Sequence, residues 1–203
     1  MPDGAPCSTQ GYPHELVRRI AWDDGVTLLV RPIRPDDGAR LLAFHHHLST
    51  RSTYLRFFSV HPELSPGEVE HFTCVDYEAR LALVVEHDRD LVAVGRYERL
   101  TGSSEAEVAF VVADAYQHHG IGTLLLDELA EAAWTRGITV FVATTLAENR
   151  GMLDVFHHSG FHVTSRRDHE TILLRFSICP DDRETHQRAV RPSRSVDVGS
   201  PRC

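Results

Sequence analysis

The sequence has no apolar run long enough to cross a membrane, although 42% of its 203 residues are hydrophobic. A membrane-spanning helix needs about 20 consecutive, mostly apolar residues. The N-terminal region also lacks the basic stretch followed by an apolar stretch that directs secretion. We therefore expect neither a membrane partner nor a secreted protein, and we predict a cytoplasmic location.

Paired metal-binding or disulfide motifs are also missing. The chain has four cysteines and no C-x-x-C pair, a pattern that argues against a disulfide framework and against zinc. Fourteen histidines are present, many in adjacent pairs. Adjacent positions on a helix point about 100° apart, so such pairs do not form the i, i+4 arrangement that grips one ion. No metal is expected.

An excess of positive charge is absent too. Lysine and arginine number 21 against 29 acidic residues, which gives a net charge of -8. Partners rich in phosphate need a basic surface, so we expect no nucleic acid and no anionic membrane. The acidic balance suits a cationic substrate slightly better than an anionic one. At this length, one domain with one sizeable core is expected.

The most informative feature that is present is a strand, a glycine-containing turn and a helix in succession. The strand is predicted over 105–112, the turn holds Gly120 and Gly122, and helical spacing of leucine and alanine follows to Arg136. Glycines let successive backbone N–H groups converge on an anion, and the helix start adds positive potential there. Leu125 occupies the third glycine position of G-x-G-x-x-G, and no G-x-x-x-x-G-K-[ST] loop occurs, so nicotinamide and nucleoside triphosphate are disfavoured.

The turn resembles the Q/R-x-x-G-x-G/A motif with which GNAT-superfamily acetyltransferases hold the pyrophosphate of acetyl-CoA. Gln117, Gly120 and Gly122 match it position by position. The resemblance implies that acetyl-CoA is the co-substrate. It assigns the pyrophosphate site to Gln117, His118, His119, Gly120, Ile121, Gly122 and Thr123.

A second segment, 148–161, is similar to the N-x-x-M-x-x-Y-x-x-x-G-F signature of the same superfamily. Asn149, Met152, Gly160 and Phe161 match, and the resemblance implies that Asn149 bonds the pantetheine arm of the cofactor. Phe156 stands in the tyrosine position. In many members that tyrosine protonates the departing thiolate, so Phe156 is expected to contribute to the cofactor site by ring packing but not as a proton donor.

A narrower likeness links the chain to the catalytic domain of Pat-type protein lysine acetyltransferases. It is carried by 30–37, 54–58, 76–77 and 105–110. The implied acceptor is a protein lysine, with acyl-CoA synthetases as targets. The chain has too few residues before the first predicted strand for the sensing domain of some Pat-type relatives, so activity without added cyclic nucleotide or amino acid is expected.

The chemistry requires a base, because a lysine with an ordinary pKa of about 10.4 is protonated at neutral pH. Glu107 corresponds to the Pat-type catalytic glutamate, and Glu105, two residues earlier on the same strand face, is the second candidate. Phe110, Val111 and Val112 are expected to line the cofactor, with the backbone of Val111 and Val112 pairing with the pantetheine amides.

The predicted fold is a GNAT-like α/β fold. It has a single mixed, mostly antiparallel sheet of six to seven strands flanked by helices, splayed between the fourth and fifth strands. The domain is expected over 25–178, after a polar segment 1–24 and before a tail 179–203 whose composition is typical of disorder.

Three functions stay open at this point. The first is an acetyl-CoA-dependent protein lysine acetyltransferase, which needs an open acceptor groove of acidic character. The second is an acetyltransferase for a small amine, which needs a concave pocket. The third is a CoA-binding sensor without turnover, which the phenylalanine at 156 allows and Glu107 argues against.

Overall fold

The computed structural model describes residues 11–22, 25–59 and 63–182. Its strands are β1 (Arg18–Ala21), β2 (Thr27–Pro32), β3 (Arg80–His87), β4 (Asp90–Arg99), β5 (Glu105–Val112), β6 (Val140–Leu146), β7 (Val163–Asp168) and β8 (Thr171–Ser177). Its α-helices are α1 (Gly38–His46), α2 (Thr50–Phe57), α3 (Pro66–Thr73), α4 (Ile121–Thr135) and α5 (Arg150–His157).

All eight strands form one sheet in the order β1-β2-β3-β4-β5-β6-β8-β7. Every neighbouring pair is antiparallel except β5 and β6, which are parallel. The predicted fold class is confirmed, with eight strands rather than six or seven. The added strand is β1, which pairs with β2 through Arg18 opposite Val30.

Helices cover both faces of the central strands, which is why β3 is apolar at consecutive positions. Leu81, Leu83 and Val85 enter the larger core beneath α4, while Ala82 and Val84 enter a smaller core beneath α1. A strand buried on both faces is an apolar run instead of an alternating pattern. The sheet therefore separates the chain into an α4–α5 side and an α1–α2–α3 side.

The helix boundaries follow local chemistry. Ser65 and Glu68 form the predicted capping box of α3, with Pro66 at the first helical position. Ser49 caps α2 by accepting a hydrogen bond from the Ser52 amide. The predicted helix from Pro35 instead begins as a 3-10 turn, and α1 proper starts at Gly38.

A closed charge cluster, made of Arg31, Asp37, Arg40 and Glu86, joins β2, β3 and the start of α1. Two guanidinium nitrogens of Arg31 donate to the two carboxylate oxygens of Asp37, each at 2.7 Å. Arg31 also donates to Glu86, and Arg40 bridges Asp37 at 3.1 Å and Glu86 at 3.0 Å. Arg31 and Asp37 are each 3% exposed, so these charges are buried and fully paired.

Within the described ranges, no helix is both long and apolar enough to span a bilayer, and no three metal-binding side chains cluster. Cys74 is disulfide-bonded, contrary to the expectation drawn from the cysteine pattern, and Cys179 is a free thiol. Half of the expected N-terminal segment 1–24 and most of the expected tail 179–203 lie outside the described residues.

Candidate active site

The sheet opens between β5 and β6. Only three positions pair there, and the last joins Glu107 to Val142. Beyond Glu107 the two strands separate, so the second half of β5 pairs with β4 alone within the described residues. Glu107 thus lies at the vertex of a gap in the middle of the sheet.

Strand register decides which backbone groups face this gap. The Ala113 amide donates to the Val92 carbonyl at 2.8 Å, which starts the alternating ladder between β4 and β5. In that alternation Val111 exchanges its hydrogen bonds with Val94, and the N–H and C=O groups of Phe110 and Val112 point to the gap. Of the two residues expected to pair through their backbone, Val112 therefore presents its N–H and C=O groups to the gap, whereas Val111 directs them to β4.

A cleft of about 270 Å³, the central cleft, extends from this gap. Ten of the predicted cofactor residues line it: Phe110, Val111, Val112, Gln117, His118, Gly120, Ile121, Gly122, Thr123 and Asn149. His119 and Phe156, which were also predicted to contact the cofactor, do not line the cleft, and neither does the candidate base Glu107. His119 packs edge-on against Trp22, with ring centroids 5.2 Å apart, and so borders the turn from outside.

The turn before α4 has the backbone conformation of an anion cradle. His118 and Gly120 both have positive φ, at 65° and 80°, and α4 begins directly after Gly120. Left-handed residues next to a helix start direct successive N–H groups into one concavity. Gly122 has a different role, since a Cβ there would lie 3.0 Å from Val155 of α5. Gly122 therefore permits close packing of α4 on α5.

Gln117 ties the cradle to helix α2. Its side-chain amide donates to Ser52 Oγ at 3.1 Å and to the Val112 carbonyl at 3.0 Å. Ser49 and Ser52 in turn donate to Asp114. Burial acts to raise the pKa of Asp114, but these hydrogen bonds, those from Ser49 first, lower it below its usual value. The network fixes α2 against the end of β5.

Asn149 caps α5, because its side-chain oxygen accepts the Met152 amide at 3.2 Å. Its carboxamide nitrogen makes no hydrogen bond to a described residue and is available at the cleft wall. Phe156 is 1% exposed and packs against Phe110 and Phe176, with ring centroids 5.6 Å apart in both pairs. The ring at the tyrosine position is thus a core residue.

The two candidate bases have different surroundings. Glu105 accepts a hydrogen bond at 2.8 Å from Arg175 of β8, which reaches over the intervening strand β6. Glu107 is exposed and forms no hydrogen bond or ion pair with any described residue. An unengaged carboxylate at the vertex is the better placed of the two to accept a proton. Arg56 and Arg96 both lie close enough to Glu107 to interact with its charge, so this face of the sheet carries positive as well as negative charge.

The sequence did not predict helix α2, which brings Ser52, Leu55 and Arg56 to the cleft. The available signal was Ser49, a good N-cap residue three positions before Ser52. Other lining residues without a sequence prediction are Tyr116, Gly151, Met152, Asp154, Val155 and His158.

Comparison with known proteins agrees with this geometry. Residues 41–161 match the model of the acetyltransferase (GNAT) family. A Pseudomonas aeruginosa protein named as an acetyltransferase is 32% identical over 143 residues, 68% of this chain and 77% of that protein. The acetyltransferase Pat of Mycolicibacterium smegmatis is 30% identical over 161 residues, 78% of this chain. The chain spans only 48% of that relative's length.

Solved structures show the same fold. The GNAT domain of S. lividans PAT has a TM-score of 0.77 and 36% identity, and the match covers 82% of this chain and 99% of that domain. The Salmonella typhimurium protein yncA, solved with its cofactor acetyl-CoA, has a TM-score of 0.60 and 18% identity. The match covers 74% of this chain and 92% of that chain. At that identity the likeness concerns the fold alone.

Proposed function

Because the chain belongs to the GNAT acetyltransferase family, an enzyme family that uses acetyl-CoA, we propose that it acetylates the ε-amine of protein lysines. The observation that carries acetyl transfer is the central cleft, which combines an anion cradle with a gap between strands, and Glu107 lies at the vertex of that gap without lining the cleft. Acetyl-CoA supplies the activated acetyl group. The proposed location is the cytoplasm.

The residues of the cleft fit the parts of acetyl-CoA in order. The backbone from His118 to Thr123 and the start of α4 suit the negatively charged pyrophosphate. The gap-facing backbone groups of Phe110 and Val112 suit the amides of the pantetheine arm, and the Asn149 carboxamide nitrogen adds a donor. The domain that we propose covers 25–178, with β1 added at the edge of its sheet.

Glu107 is the proposed general base. Deprotonating a lysine at pH 7 costs roughly 4 to 5 kcal/mol, and a nearby carboxylate, acting directly or through water, takes that proton as the amine attacks the thioester carbon. The C–N bond forms, the C–S bond breaks, and the thiolate takes up a proton. Since Phe156 has no hydroxyl, solvent at the open cleft is the proposed source of that proton.

The acceptor assignment rests on the likeness to Pat, and a small amine is the alternative. Incubating the chain and acetyl-CoA with an acyl-CoA synthetase, and separately with polyamines and amino acids, distinguishes the two by mass spectrometry. We expect acetylated lysine on the protein without added cyclic nucleotide. Rapid acetylation of a small amine, with none on the protein, would overturn the acceptor and leave the cleft assignment intact.

Glu107→Gln tests the base. Turnover at pH 7 is expected to fall about a hundredfold or more, the range for a lost general base, with acetyl-CoA affinity unchanged and partial recovery at high pH. Glu105→Gln is the matched control and is expected to keep most activity, because Glu105 is held by Arg175. A large loss in the control and none in Glu107→Gln would exchange their roles.

A further inference from the structure

A second, smaller cavity, the side cavity, opens next to the central cleft on the α1–α2–α3 side of the sheet. It has a volume of about 40 Å³, and Arg56 and Val111 line both spaces. Its walls are mostly apolar side chains from α1 and α3 and from strands β3, β4 and β5, with His45 among them. The two spaces therefore adjoin at Arg56 and Val111.

Two arginines, Arg56 on α2 and Arg96 on β4, form what we call the open arginine pair. Both are half-buried and both line the side cavity. Neither donates a hydrogen bond or forms an ion pair with any described residue. Their close contacts are aromatic, with Arg56 5.2 Å from the centroid of the Phe57 ring and Arg96 3.9 Å from that of Phe72.

Such a pair is unusual, because arginines withdrawn from water are almost always paired with an anion. Burial lowers the pKa of Arg56, and repulsion from Arg96 lowers it further, while Glu107 opposes the shift only in part. Burial also lowers the pKa of Arg96. An anion placed between the two guanidinium groups would relieve both effects, and a carboxylate fits the planar guanidinium donors.

We propose that the side cavity binds the acyl end of an acyl-CoA whose short chain ends in a carboxylate, with succinyl-CoA as the representative. The inference rests on the proposed function, since it requires the acyl-CoA to occupy the central cleft. The apolar walls suit methylene groups, and the open arginine pair suits the terminal carboxylate. A volume of about 40 Å³ holds on the order of three water-sized groups, which is too little for an amino acid or peptide acceptor.

The implied activity is transfer of the acidic acyl group to an amine. The amine nitrogen attacks the thioester carbonyl carbon, a C–N bond forms and the C–S bond breaks. The proton lost by the amine goes to Glu107, and the CoA thiolate takes up one proton. The terminal carboxylate is unchanged, so the products are a succinylated amine and free CoA, and no oxidant or reductant is needed.

Calorimetry with four ligands tests the proposal: CoA, acetyl-CoA, butyryl-CoA and succinyl-CoA. Butyryl-CoA matches succinyl-CoA in chain length and lacks the carboxylate. Wild-type protein is expected to bind succinyl-CoA at least tenfold more tightly than butyryl-CoA. The double variant Arg56→Met, Arg96→Met, compared with itself across the two ligands, is expected to lose that tenfold difference. Arg51→Met, which removes an exposed charge from the same helix, is expected to retain it.

The outcomes separate this inference from the proposed function. Binding of acetyl-CoA together with equal affinity for succinyl-CoA and butyryl-CoA overturns the inference and leaves the function standing. Failure of every CoA thioester to bind overturns both. The wild-type comparison needs no variant, so misfolding of the double variant does not block the test. Mass spectrometry of an amine incubated with succinyl-CoA should then show the succinyl product, and its absence beside an acetyl product counts against transfer.

Discussion

The closed charge cluster and the open arginine pair lie on the same side of the sheet, and both contain buried or half-buried arginines. They differ in how the positive charge of those arginines is balanced. Arg31 is held by two carboxylates and receives help from Arg40 in neutralising them. Arg56 and Arg96 have aromatic rings beside them instead.

The difference distinguishes the structural role of the closed charge cluster from the ligand-binding role that we propose for the open arginine pair. Burial acts to lower the pKa of Arg31, but the hydrogen bonds and charges of Asp37 and Glu86 outweigh it and raise that pKa. At Arg56 burial prevails and the pKa falls. A cluster that satisfies itself can only hold strands together, whereas a pair left unsatisfied by the fold has capacity for a ligand.

The largest expected effect comes from removing the arginine of the closed charge cluster. Arg31→Met leaves Asp37 buried and without its two strongest donors, and breaking a buried pair in this way costs about 3–5 kcal/mol. Urea unfolding monitored by circular dichroism measures the loss. A change below about 1 kcal/mol would contradict the view that this cluster stabilises the junction of β2, β3 and α1.

A second prediction concerns the anion cradle. Thr123→Glu places a carboxylate at the third position of α4, where it suits the helix dipole but repels pyrophosphate, so stability should hold while acetyl-CoA affinity falls at least tenfold. Thr123→Gln, of the same size without the charge, is the matched control in calorimetry. Gly122→Glu is a poorer probe, because its Cβ would press on Val155. Equal affinity in the two Thr123 variants would move the pyrophosphate elsewhere.

Acid should weaken the closed charge cluster selectively. Burial acts to raise the pKa of Asp37 and Glu86, but their arginine partners lower both below the usual values. Their contribution to stability is thus fully present above the carboxyl pKa of the unfolded chain, about 4, and is lost as pH falls through the folded values. Urea midpoints measured from pH 7 to 3 should fall below about pH 4, and less steeply in Arg31→Met. Parallel profiles would argue against the assignment.

The smallest expected effect comes from the same arginine-to-methionine substitution made in the open arginine pair. Arg56→Met removes a desolvated charge that has no ion-pair partner among the described residues, so the free energy of unfolding should change by less than about 1 kcal/mol or rise. Urea unfolding of this variant beside Arg31→Met gives the contrast directly. A loss as large as that of Arg31→Met would show that the open arginine pair is structural.

The parts of the fold with strong local signals were predictable from the sequence. The capping box at Ser65 and the strand, turn and helix around Gly120 depend on residues within a few positions of one another. Strand β1 was not predictable, because only Ile20 among its four residues is partly buried and the alternation is too short to recognise. Helix α2 was missed since Thr50, Ser52 and Thr53 are weak helix formers.

The candidate site divides in the same way. Motif positions such as Gln117 and Asn149 could be located, but the tie from Gln117 to Ser52 joins residues 65 positions apart. The open arginine pair likewise depends on Arg56 and Arg96 meeting through the tertiary fold, and the sequence does not indicate which arginines find carboxylates. Tertiary packing determines which charged side chains form ion pairs, and local sequence patterns do not encode it.

The gap between β5 and β6 has a mechanical consequence. Five strands on one side and three on the other are joined along the sheet by only three paired positions. A pantetheine arm that bonds to the exposed edge of β5 would act as a short additional strand and stiffen this seam. The ligand is then part of the scaffold as well as the substrate, so each turnover removes and replaces a structural element of the enzyme.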